Sequence, residues 1–152
     1  MRFDSLEEVL TFAIRKEHNA RELYLMFRDM VKDPGAKALL EDLAKQELGH
    51  KNLLENALKG DNAERIGGKR EIQDLHISDH TVADEVGPDS SPQDVMLLAM
   101  KMERAAHELY SVMLENYRGT ELEGILSQLV REELRHKEIL EREYEEHFMM
   151  WM

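Results

Sequence analysis

The sequence predicts an all-α chain: a four-helix bundle made of two duplicated helical hairpins joined by a long crossover. Three observations carry this. Helix start and stop signals recur along the chain, apolar residues return in steps of three and four, and segments repeat at an offset of 86. Residues 17–24 read EHNARELY and residues 103–110 read ERAAHELY, sharing the form Glu-x-x-Ala-x-Glu-Leu-Tyr. Glu47-Leu-Gly-His50-Lys and Glu133-Leu-Arg-His136-Lys repeat at the same offset.

Each element has its own signals. Ser5 with Glu8 has the form of a capping box and opens a helix over 6–31. Asp33-Pro34 is an N-cap with proline at the first helical position, opening 34–59, and Gly60 closes it. Ser91-Pro92 repeats that device for 92–118, which Gly119 ends, and Thr120 with Glu123 opens 121–147. Residues 60–90, richer in Gly, Asp and Ser, form the crossover, and the whole of 1–152 is one domain. The apolar stripes are Leu6, Leu10, Ala13, Ala20, Tyr24, Phe27 and Val31; Ala36, Leu40, Leu43, Leu54 and Ala57; Met96, Ala99, Ala106, Tyr110, Met113 and Tyr117; and Leu122, Leu126, Leu129 and Leu140. Such stripes bury in a bundle.

Composition narrows the function. A net charge of −12 without a basic cluster argues against nucleic acid and against an anionic membrane surface. The absence of cysteine excludes disulfides, Cys-ligated zinc, iron–sulfur centres and thiol chemistry. The N-terminus MRFDSLEEVL has neither a long apolar core nor a small-residue cleavage site, and no apolar run reaches membrane-spanning length. A cytoplasmic protein is expected.

Each stripe is interrupted at its middle by ionisable residues: Glu17, then Glu47 and His50, then Glu103, then Glu133 and His136. Burying an uncompensated carboxylate costs several kcal/mol or more, so six such groups in one core need a shared explanation. Glu17 and Glu47 flank the first turn at equal distance, as do Glu103 and Glu133 the second, so antiparallel pairing brings all four to one level, roughly 22 Å down each helix at about 1.5 Å per residue. Each histidine follows its glutamate by three positions and shares the inward face. Four carboxylates and two imidazoles match two divalent cations in charge, with Glu47 and Glu133 bridging and Glu17–His50 and Glu103–His136 as terminal sets. Oxygen-rich ligands with one imidazole per ion suit iron or manganese better than structural zinc. The bland alternative, a buried polar layer that sets register, normally uses one Asn or Lys per helix.

The paired Glu and Glu-x-x-His motifs resemble the ferritin-like di-iron carboxylate superfamily, nearest to its rubrerythrin-like group. The resemblance spans all four helices. It implies two iron ions (manganese or a mixed Mn/Fe pair being alternatives) at Glu17, Glu47, His50, Glu103, Glu133 and His136. It also implies an oxidoreductase of the oxidative-stress type, reducing hydrogen peroxide or dioxygen. Zero cysteines rule out an attached rubredoxin domain, so electrons would come from a separate rubredoxin or reductase. The group's extra glutamate one turn after the third helix's ligand is replaced by Ala106. Few residues follow 147, which disfavours a storage shell. Non-catalytic iron handling and hydroxylation of an organic substrate are the alternatives, and the small seam residues Ala13, Ala20, Ala99 and Ala106 leave room for a small oxidant.

Residues around the six complete the expectations. Tyr24 and Tyr110, seven positions after their glutamates, face the same seam as hydrogen-bond donors, radical-prone neighbours or core fillers. Gln46 and Glu132 stand where the resembled fold can have a side chain accept the free N–H of the opposite hairpin's histidine, the alternative being a solvated helix face. His107 is a candidate extra ligand, Glu22 and Glu108 point away, and His76 and His80 suit surface positions. The ending FMMWM, with Trp151, suits packing on a neighbouring subunit of a homodimer, or fraying.

Overall fold

A computed structural model describes residues 3–59 and 89–152. Among them are five helices: α1 (Leu6–Met30), α2 (Pro34–Lys59), α3 (Pro92–Asn116), α4 (Glu123–Glu146) and a short α5 (Phe148–Trp151). Nearly all of the crossover, with Gly60, His76 and His80, lies outside the described residues. The hairpins α1–α2 and α3–α4 are the main packing units, and α1 lies against α3 across the bundle.

Capping follows the sequence at three starts and departs from it at one. The Ser5 hydroxyl accepts from Glu8 N–H at 3.2 Å, and Glu8 reaches back to Asp4 N–H at 2.8 Å, one residue short of a full capping box. Asp33 Oδ2 accepts from Ala36 N–H at 2.9 Å. Ser91 and Asp94 form a reciprocal box with Pro92 at the helix start. The expected box at Thr120 is not formed. Its hydroxyl donates to Tyr117 O at 2.6 Å and accepts from Leu122 N–H, so it ties the turn and α4 begins two residues later than expected. Gly119, at φ +79°, supplies the left-handed turn residue between the two helices.

The core is in two parts. One cluster joins the N-terminal half of α1 to the C-terminal halves of α2 and α3 and the start of α4; it includes Phe3, Phe12, Leu54, Tyr117 and Leu129. The other joins the opposite ends through Phe27, Leu40, Met96, Leu140 and Trp151. Every stripe residue predicted from sequence is buried except Ala106, which is half-buried. Between the clusters lies the polar layer.

The C-terminal tail does not fray: Phe148 and Trp151 are buried in the chain's own core, with Trp151 against Phe27 at 5.7 Å between ring centroids. Trp151 O accepts from Lys32 N–H at 3.1 Å, pinning the tail over the α1–α2 turn. The aromatic residues take the burial while Met149, Met150 and Met152 stay exposed.

Candidate metal centre

The six interrupting residues meet at mid-bundle. Glu17, Glu47, His50, Glu103, Glu133 and His136 are all buried, although each is flanked on its helix by solvated positions. Helical periodicity alone turns them inward, and the matched lengths of the two hairpins bring them to one level. They form two groups: Glu17, Glu47, His50 and Glu133, and Glu47, Glu103, Glu133 and His136. Within each group one donor atom per residue lies within 4.8 Å of all the others, and Glu47 and Glu133 belong to both. Donors on opposite sides of an ion bound at about 2.1 Å are about 4.2 Å apart, so each group is of cation-binding size.

Both imidazoles turn Nδ1 to the centre and Nε2 outward. His136 Nδ1 is 2.8 Å from Glu47 Oε1 and 3.7 Å from Glu103 Oε1. His50 Nδ1 is 2.6 Å from Glu133 Oε1 and 3.6 Å from oxygens of Glu17 and Glu47. On the outer side, His136 Nε2 meets Gln46 Oε1 at 2.7 Å and His50 Nε2 meets Glu132 Oε2 at 3.2 Å. Each partner comes from the opposite hairpin and holds the ring with its lone pair inward when neutral.

The tyrosines cross the bundle in the same reciprocal way. Tyr110 O–H donates to Glu17 Oε1 at 2.6 Å, and Tyr24 O–H donates to Glu103 Oε1. Burial and the surrounding carboxylates raise both phenols well above their ordinary range, so they remain protonated donors.

The centre fits a cation by its unsatisfied atoms. Glu17 Oε2, Glu47 Oε2, Glu103 Oε2 and Glu133 Oε1 are buried without an aligned hydrogen-bond donor, and the close His50–Glu133 contact is also out of hydrogen-bond alignment. Buried polar atoms in native proteins are nearly always paired, so a cluster of orphaned acceptors marks a place for positive charge. Without a cation, burial and repulsion from Glu103 and Glu17 push Glu47 and Glu133 well above the carboxylate range. Burial also opposes the charge of Glu103, but hydrogen bonds from His136 and Glu133 bring it down to about 2. Burial likewise opposes protonation of the imidazoles. It is outweighed at His50 by Glu133, Glu17 and Glu47, and at His136 by Glu103 and Glu133, so both are raised. Protons thus hold the places that cations would take.

Comparison with known proteins agrees with this architecture. The rubrerythrin family model matches residues 8–81, which take in most of α1 and all of α2. A Thermotoga maritima protein assigned to the ferritin-like diiron-carboxylate class superposes with a TM-score of 0.81 at 17% identity, over 93% of this chain and 95% of its own. The chain has a ferritin-like fold. A hypothetical protein of Pyrococcus furiosus is also similar, with a TM-score of 0.69 at 27% identity over 97% of this chain and 93% of that one. No curated protein matches in sequence.

Other candidates fall away from the centre of this ferritin-like bundle. His107 is half-buried, its Nδ1 3.2 Å from Val130 O, and it is in neither cation-sized group. Glu22 is exposed and pairs with Arg21, and Glu108 is exposed. One contributor escaped the sequence analysis. Asp42 Oδ2 accepts from Gln46 Nε2 at 2.7 Å, which orients the amide with its oxygen toward His136. Its position four residues before Gln46 on the same helix was the available signal.

Proposed function

We propose that the chain is a di-iron oxidoreductase that reduces hydrogen peroxide or dioxygen with electrons from an external donor. One observation carries the two-ion reading: the two cation-sized groups have different histidines and terminal glutamates but share Glu47 and Glu133. That arrangement supports a reading in which Glu47 and Glu133 would be common to two ions, with Glu17 and His50 completing one set of donors and Glu103 and His136 the other. The oxygen-rich donor set with one imidazole per ion favours iron or manganese. Two bound irons would supply the electrons for cleaving an O–O bond.

The chain's own part is positioning and exclusion. Tyr110 and Tyr24 hold Glu17 and Glu103 by Oε1 and leave Oε2 of each buried without a donor. Gln46 and Glu132 fix the rings of His136 and His50. The apolar clusters above and below keep bulk water out, which strengthens every electrostatic contact inside. A groove of about 530 Å³ beside Phe3 and Phe12 and another of about 340 Å³ beside Trp151 are lined by none of the six residues. The small seam residues Ala13, Ala20, Ala99 and Ala106 leave room for a small oxidant.

The test is stopped-flow oxidation of the Fe(II)-loaded protein by peroxide and by dioxygen. Oxidation faster than that of free Fe(II), followed by re-reduction with a rubredoxin or reductase, is the expected result. Tight iron binding with no acceleration by either oxidant would sink the enzymatic reading and leave iron handling.

A further inference from the structure

The two halves of the centre are built from duplicated sequence, yet the groups behind their histidines differ in charge. His50 Nε2 meets the carboxylate of Glu132, whereas His136 Nε2 meets the neutral amide of Gln46. We propose that the two ion positions are inequivalent: the group of Glu17, Glu47, His50 and Glu133 takes up the first divalent cation, and Glu132 is the positioning residue that sets this order. This order rests on the metal-centre reading above.

A carboxylate that accepts the distal N–H of an imidazole draws the proton toward itself. Electron density then moves through the ring to the opposite nitrogen, which becomes the stronger donor. Here that nitrogen is His50 Nδ1, which already faces Glu17, Glu47 and Glu133. The Glu132 contact, at 3.2 Å, is longer than the 2.7 Å amide contact to His136. A net charge still acts across the whole ring, whereas an amide dipole fades faster with distance. The Gln46 side does have a carboxylate, Asp42, but it is exposed and reaches His136 only through the amide. Glu132, 36% exposed, stands directly on the ring. Glu47 and Glu133 serve both groups and the tyrosine contacts are reciprocal, so this exchange of carboxylate for amide is a built-in difference at the histidines themselves.

Anaerobic calorimetric titration with Fe(II) tests the assignment. Wild-type protein should bind two ions in steps about 10-fold or more apart, the range over which such outer partners act. Glu132→Gln should weaken the tighter step by about 10-fold and leave the other nearly unchanged, merging the two. Gln46→Glu should tighten the weaker step, and the double swap Glu132→Gln/Gln46→Glu should restore two separated steps. Glu138→Gln, on the exposed face of α4, controls for loss of one negative charge and should shift neither step. Circular dichroism checks the fold, and Gln46→Glu decides the matter should Glu132→Gln lose helix. Two equal wild-type steps, or a Glu132→Gln effect no larger than that of Glu138→Gln, overturn the inequivalence while leaving the metal centre standing. Failure of wild-type protein to bind Fe(II) overturns both.

Discussion

At the scale of single residues, the centre shows how a buried carboxylate is tolerated. Each terminal glutamate keeps one oxygen on a tyrosine of the opposite hairpin and has the other buried without a donor. The phenol thus has two effects: it satisfies an acceptor and it aims the carboxylate. Tyr110→Phe should weaken Fe(II) binding about 10-fold, as loss of such supporting contacts usually does. Tyr24→Phe should act alike through Glu103, and equilibrium titration of the two variants checks both. If either variant binds as wild type does, its tyrosine is core filler and nothing more.

At the scale of elements, the duplicated hairpin tolerates different residues wherever the bundle leaves room. Gly49 lies in the interior of α2 on its exposed face, where an added Cβ would meet nothing within 4 Å, and Arg135 is its counterpart in the second copy. Gly49→Ala should therefore stabilise the chain by roughly 0.5–1 kcal/mol, through the helix propensity of alanine. Denaturant midpoints measure it, and a loss of stability would contradict the geometry. The tail carries the opposite prediction. Trp151 is buried against Phe27 and Phe148, so Trp151→Ala should cost about 3–5 kcal/mol. If the variant instead keeps its stability but sediments as a smaller species, the tail is a subunit contact after all.

At the scale of the whole molecule, the fold and its centre are linked. Ions held only by the folded state stabilise it by about 2.7 kcal/mol per site at a free concentration 100 times Kd. For a chain of this size that is about 5–10 °C in Tm per site, lost on chelation. Protons oppose the effect. In the ion-free protein Glu47 and Glu133 are raised, so their stabilising protonation is complete below the ordinary carboxylate value of 4.5 and is lost as pH rises. His50 and His136, also raised, act in the same direction above their ordinary 6.5. Glu103, brought down to about 2, has the opposite sign, but its contribution is lost only as pH falls below 4.5. The ion-free protein should therefore lose stability between about pH 5 and about pH 8, while the stabilisation by Fe(II) grows over the same range because ligands must be deprotonated. Thermal melts with Fe(II) and with chelator at both pH values measure this, and equal increments at the two would remove the linkage.

Much of this was legible without coordinates, because the decisive quantities are periodic. A seam repeating every three or four residues names the inward face, and equal spacing from the turns sets the depth of Glu17, Glu47, Glu103 and Glu133. The duplication supplies the opposing half, so the convergence of the six residues follows from one-dimensional order, whereas the contacts of Gln46, Glu132 and the two tyrosines were among several readings the sequence allowed. Tertiary structure alone decided the rest. Local motif and local helix part company at Thr120, whose hydroxyl accepts from Leu122 N–H while Glu123 N–H goes to the Thr120 carbonyl. The tail's place depends on an apolar end that exists only once four helices have met. The orphaned oxygens of the centre and the unlike groups behind its two histidines are likewise properties of distance between helices, which no spacing along a single chain can specify.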